Sequence, residues 1–179
     1  MKTFLKFAGL ISLGLAVVGF ILVMSTHSVV YTSSPADNWY SATSAIFGGG
    51  TAQITLSGWG ITISSGVQNV DAKGAWCALL SWIFVLVGLL GLIAGVVLPL
   101  LKVKGFNRFA GLVNLCSAGL LLVGGIFLFF TVSAFGAANE WNNTNGWGLG
   151  GGWVVAAILY IAAGAVAVFP AAVGLIEKK

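Results

Sequence analysis

The stretch Trp76–Leu101 reads WCALLSWIFVLVGLLGLIAGVVLPLL and carries no formal charge. A transmembrane helix needs about 20 predominantly apolar residues at ~1.5 Å rise each, and this run is longer than that. Its Leu, Val, Ile, Gly and Ala follow no period-2 alternation, so it does not read as a strand of a membrane barrel. The same pattern recurs three times. No charge stands between Lys6 and Asp37, from Phe109 to Asn139, or from Trp141 to Ile176. The expected spans are therefore 7–27, 76–101, 109–135 and 152–176. They define an all-α membrane protein, a left-handed four-transmembrane-helix bundle, with residues 1–179 forming a single four-span membrane domain.

Composition excludes the other classes. Of 179 residues, 59% are hydrophobic and 7% are charged, and the mean hydropathy is +1.04. A soluble domain carries about 25% charged residues, too many for this chain to match. Disorder goes with low hydrophobicity and high charge, the reverse of what stands here.

The basic residues orient the spans. Lys2 and Lys6 precede the first, Lys102, Lys104 and Arg108 fill the short link between the second and third, and Lys178 and Lys179 close the chain. A four-span topology puts these three segments on one side, and only Lys73 stands elsewhere. Positive residues stay cytoplasmic, so both termini are expected inside a plasma or cytoplasmic membrane. The net charge of +4 is then a topology signal. Split among membrane edges, it forms no continuous patch for nucleic acid. The apolar run from Phe7 to Met24 exceeds the 7–15 residues of a secretory signal's core, and the expectation is an uncleaved signal anchor.

The first external loop, 28–75, is long enough to fold. In Thr51–Ser64, Ile54 and Leu56 alternate with Gln53, Thr55 and Ser57; Ile61 and Ile63 alternate with Thr62 and Ser64. Period-2 patterning broken at Ser57–Gly60 predicts a β-hairpin. Gly48–Gly50 and Gly66 read as its punctuation. Two strands alone are marginal, so further pairing is expected with Ser28–Thr32 or Val67–Val70, giving a small antiparallel extracellular sheet. Cys77 and Cys116 fall at different depths, too far apart for a disulfide, and read as buried small apolar side chains.

The second external loop, 136–151, is rich in Gly, Asn and Trp. Asn142-Asn143-Thr144 matches a glycosylation sequon, which matters only in a eukaryotic secretory pathway. Trp39, Trp59, Trp141 and Trp147 are the candidate contact residues, with Trp76 and Trp153 at span boundaries. Two readings stand side by side: an aromatic belt with a small ectodomain core, or a binding surface.

Chemistry is sparse. The spans hold no ionisable residue beyond His27 at an edge, which disfavours a proton relay or ion path. A single histidine excludes a multi-histidine metal or bis-histidine haem site, and no phosphate loop is present. No cofactor, metal or catalytic residue is expected, and an enzyme is the least favoured class; one acting on lipid would need His27 or Glu140 as acid–base. Packing signals are richer. Gly91 and Gly95 in span two, Gly9, Gly14 and Gly19 in span one, and Ala163, Ala167 and Ala171 in span four have the spacing that lets helices approach closely. Asn114 is the one carboxamide well inside a span, expected to bond Ser81, Ser117 or a backbone carbonyl.

This layout, with Leu86–Gly95 and the Gly/Ala-rich third and fourth spans, resembles the claudin and peripheral-myelin-protein group of four-span proteins. The resemblance is one of topology along the whole chain: termini inside, a long first loop with a β-sheet, a short second loop and a short basic internal loop. Of the group's first-loop pattern, Trp then Gly-Leu-Trp then two cysteines, only Trp39 and Gly58-Trp59 have counterparts. The loop cysteines are missing, so no binding residue is carried over.

The function these features indicate is non-catalytic: a structural, assembly or accessory subunit in contact with lipid and with itself or another membrane protein through its external loops. The alternative is an oligomeric pore or carrier for a neutral or apolar solute. The orientation is directly testable. Cysteine placed at Lys73 should react with an impermeant thiol reagent applied to intact cells, and cysteine at Lys104 should not; equal labelling of the two overturns it.

Overall fold

The structure, a computed structural model, describes residues 2–32, 38–58, 61–101 and 109–176. The elements run α1 (Lys2–Ser25), β1 (Val29–Tyr31), β2 (Trp39–Tyr40), α2 (Ala42–Phe47), β3 (Thr51–Gly58), β4 (Ile61–Asn69), α3 (Trp76–Leu100), α4 (Ala110–Phe129), α5 (Thr131–Ala138), β5 (Trp147–Leu149) and α6 (Gly151–Ile176). The helices α1, α3, α4 and α6 are long and apolar enough to cross a membrane. The chain is a four-span integral membrane protein, and its fold is four packed apolar helices with a five-stranded antiparallel sheet.

Two compact units form. One contains residues 1–20, 81–126 and 156–179, and the other 21–80 and 127–155. In the first, the four long helices meet through small residues. A Cβ added at Gly95 would fall on Asn114 Oδ1, and one at Gly91 on Ser117 Oγ, so the polar side chains of α4 seat in the glycine notches of α3. Gly125 and Gly164 do the same between α4 and α6, where an added Cβ would stand 2.9 Å from the Ala157 carbonyl and 2.8 Å from that of Ala118. Gly19 lies under Tyr160, and Gly9 under Val96, closing α1 onto α6 and α3. Gly14 faces open space, so it is not part of this seam.

Polar side chains staple the seams. Ser12 Oγ donates to the Ala163 carbonyl at 2.7 Å and Ser81 Oγ to that of Gly124 at 2.7 Å. Asn114 Nδ2 donates to the Gly95 carbonyl at 3.4 Å, choosing the backbone over Ser81 or Ser117. In lipid such bonds contribute about 0.6–2 kcal/mol each. Large apolar side chains turn the other way: Phe7, Ile11, Val18, Leu90, Ile158 and Phe169 are exposed, as helices in contact with lipid require.

Two details of the helices differ from the sequence reading. The third span is not one helix over 109–135. α4 ends at Phe129, Phe130 sits at φ −87°, ψ −1°, and α5 restarts at Thr131. The Phe130 N–H bonds to the Phe127 carbonyl at 3.1 Å, a tight three-residue step that an apolar run does not reveal. Cys116 is exposed and only Cys77 is buried, though both are free. Cys116 shares the outward stripe of Leu112, Val123 and Ile126, and depth along a span does not determine which face a residue takes.

In the second unit the sheet order is β4-β3-β2-β1-β5, all antiparallel. The hairpin of β3 and β4 is as read, and β1 falls within the expected Ser28–Thr32. Gly66 does not end the hairpin. β4 continues through it to Asn69, and the register slips so that Gly66 and Val67 stand against Gln53, a bulge of the kind strand glycines mark. Alternation does not produce one buried face either: Ala52 and Thr55 are buried while Ile54 is half-buried. The fifth strand comes from the second interhelix segment, which the sequence analysis leaves without a strand. The helix α2 was likewise unanticipated; Ser41 Oγ caps it, accepting from the Ser44 N–H at 3.4 Å. It ends at Gly48–Gly50, whose φ values of 82°, 65° and 82° only glycine adopts readily.

The glycine seam makes a measurable distinction. Gly95→Ala must displace Asn114 from the α3–α4 crossing and should cost about 1–3 kcal/mol. Gly14→Ala meets nothing and should be neutral or stabilising by up to about 1 kcal/mol. Thermal melting of the two detergent-solubilised variants against the parent checks this.

Candidate functional site

The second unit gathers an aromatic cluster at the junction of its two interhelix segments. Strand β1 brings Tyr31, β2 brings Tyr40, α5 brings Phe135, and the segment beyond α5 brings Trp141 and Trp147. Trp141 and Trp147 lie 4.7 Å apart, centroid to centroid, with their planes tilted by 33°. Tyr40 stands 5.9 Å from Trp141 and 5.7 Å from Trp147, and packs edge-on to Phe135 at 4.9 Å. Tyr31 flanks Trp147 at 5.1 Å. Phe135 is fully buried, and the two tryptophans and two tyrosines are half-buried.

Local geometry forces this gathering. α5 finishes in a paired bond pattern: the Trp141 N–H returns to the Gly136 carbonyl at 3.0 Å and the Glu140 N–H to that of Ala137 at 3.3 Å. Such an ending needs a left-handed residue after the cap, usually glycine. Here it is Glu140, at φ 57°. The turn lays the Trp141 ring over Gly136, where a Cβ would stand 3.2 Å from it. Beyond the turn, β5 pairs with β1, setting Trp147 opposite Tyr31.

Two asparagines tie the segments down by replacing backbone partners. Asn139 accepts from the Lys73 N–H at 2.8 Å and donates to the Lys73 carbonyl at 2.9 Å. Asn38 engages both backbone groups of Thr55 in the same way. Glu140 Oε1 pairs with Lys73 Nζ at 3.4 Å, but these side chains are 84% and 70% exposed, so the ion pair is screened and weak. At the ends of α1 and α6, the fully buried Trp153 indole donates to the Val23 carbonyl at 3.0 Å.

A cleft of about 400 Å³ opens beside the cluster, lined by Tyr40, Glu140, Trp141, Asn142, Asn143 and Trp147. Of the candidate contact residues, the structure brings together Trp141 and Trp147. Trp39 instead stacks on His27 at 3.9 Å and donates its indole N–H to Gln53 Oε1 at 3.0 Å. Trp59 lies outside the described residues. Of the helix-packing residues, Gly91, Gly95 and Asn114 meet at the α3–α4 crossing, and Ala163, Ala167 and Ala171 are buried along α6. Sequence reasoning missed Tyr31, Tyr40, Phe135 and Asn139. Strand pairing brings Tyr31 and Tyr40 near the tryptophans, the turn after α5 brings Phe135 to Trp141, and Glu140 stands where a glycine would have marked the helix end.

No protein-family model and no curated protein matches the chain. Among the described residues no three His, Cys, Asp or Glu side chains come together as a metal site would require.

Burial pushes the Tyr40 phenol above its ordinary value of 10.0, because the phenolate would lose its hydration. The unfolded chain therefore gives up this proton first, and the resulting stabilisation, complete below pH 10, is lost as pH rises past it. Tyr40→Phe should melt like the parent at pH 8 and fall less steeply from pH 10 to 12. Parallel melting curves across that range would contradict the buried phenol.

Proposed function

We propose that this protein is a non-catalytic membrane subunit, with both termini cytoplasmic, that meets itself or another membrane protein through its interhelix segments. One observation carries the reading. The small-residue faces of the helices are already occupied within the chain, since Ala163, Ala167 and Ala171 are buried. What remains on the helices is the large apolar surface that lipid covers. The half-buried tryptophans and exposed asparagines beyond α5 are the kind of surface from which partner contacts are built. In this orientation the sheet would lie outside the cell, as the positive-inside rule expects from the seven basic residues other than Lys73, which fall in the termini and the 102–108 link.

Cross-linking in native membranes, read beside melting of the solubilised monomer, tests the division of labour. Ala167→Leu overpacks a buried seam and should lower stability by about 1–3 kcal/mol while cross-linked species persist. Asn142→Arg with Asn145→Arg alters only exposed side chains and should leave melting unchanged while cross-links are lost. If Ala167→Leu abolishes every cross-link with an unchanged melt, α6 is the partner face instead. Persistence of all cross-links in the double arginine variant removes the loop-contact reading.

A further inference from the structure

The cleft beyond α5 combines three ring faces with one carboxylate. The centroids of Tyr40, Trp141 and Trp147 lie between 4.7 and 5.9 Å from one another, so a single guest resting on the cluster comes within about 6 Å of all three. That is the range over which aromatic rings attract a cation. Among the described residues Glu140 is the only charged side chain lining the cleft; Asn142 and Asn143 add neutral amides. Lys73 reaches Glu140 from outside the lining, engages Oε1 alone, and is itself largely exposed. We propose that this cleft binds a small organic cation of the quaternary ammonium class, its methyl groups against Tyr40, Trp141 and Trp147 and its charge balanced by Glu140.

Three features favour that chemistry over a neutral sugar. The ring planes tilt by 33° to 46° against each other, so they do not present the one flat platform on which a sugar ring would stack. Of the two amides, Asn143 Oδ1 already accepts from the Asn145 N–H at 3.1 Å, leaving few fixed partners for sugar hydroxyls. Glu140 also occupies a left-handed position where glycine is ordinary, so that a residue able to carry a charge, which glycine would lack, lines the cleft. A methylated ammonium is weakly hydrated and needs no directed hydrogen bonds, which suits a site made of rings and one charge. The same headgroup chemistry occurs in a free solute and in a choline phospholipid.

The test uses the full-length protein in nanodiscs of phosphatidylglycerol, titrated with tetramethylammonium chloride and followed by tryptophan fluorescence, with sodium chloride at matched ionic strength as reference. A saturable change specific to tetramethylammonium is expected. Glu140→Gln, on an exposed side chain, should weaken it at least about fivefold. Asn142→Lys, also exposed, should weaken it as much by placing a like charge at the cleft. Repeating the titration in phosphatidylcholine discs separates the sources: an affinity lowered by competition assigns the lipid headgroup, and an unchanged one assigns a free cation. The proposal is overturned if sodium and tetramethylammonium give the same response, if neither variant alters the affinity, or if sucrose reproduces the signal. The variant pair in membrane cross-linking reads partner contact separately, so failure here leaves the subunit proposal standing on its own measurement.

Discussion

Strand β1 is the piece on which the second unit depends. It is three residues long, yet both of its edges are occupied, by β2 on one side and β5 on the other. The pairing with β5, extended by the Thr32 N–H on the Gly146 carbonyl at 2.7 Å, joins segments 114 residues apart in the chain. A short strand with one open edge would be marginal, and the second interhelix segment supplies the missing partner. Glycines permit the approach: a Cβ at Gly150 would fall on the His27 carbonyl, and one at Gly152 on Thr26. The aromatic cluster follows from this pairing, since Trp147 is set opposite Tyr31 by register alone.

The helical unit obeys a different rule. In water a bundle hides its large apolar residues, but in lipid nothing is gained by hiding them. Its seams instead carry Ala, Gly and Ser, with Ser12, Ala16, Ala118, Ala163 and Ala167 buried and Phe7, Phe109 and Phe169 turned outward. Close approach brings dispersion and lets short hydroxyls reach the carbonyls of neighbouring helices. Larger residues, such as Leu92, Leu121 and Tyr160, fill the remaining space. Among the described residues no charged side chain is buried in this core.

These two rules divide the surface between them. Lipid covers the outward apolar faces, and the small-residue seams are consumed by the fold. In the proposed reading, recognition falls to the segments between helices, where the tryptophans would supply rigid area and Glu140 charge. The sheet and the turn after α5 hold those groups in place through backbone pairing and two asparagine side chains, with no disulfide involved.

Four spans, their glycine and alanine seams and the β3–β4 hairpin were legible in the sequence because each is a local periodicity. Charge-free length marks a span, spacing of small residues marks a seam, and alternation marks a strand. The break at Phe130, the outward turn of Cys116 and the bulge at Gly66 were not legible, since hydropathy does not record hydrogen-bond register or rotation about an axis. The site was half legible: Trp141 and Trp147 stood out as unusual, but their partners Tyr31, Tyr40 and Phe135 did not. Phe135 meets Trp141 through the turn after α5, and Tyr31 and Tyr40 reach Trp147 when β5 pairs with β1, a contact between distant segments whose strands are too short for any period to show. Local pattern determined what crosses the membrane; long-range backbone pairing decided which side chains stand together.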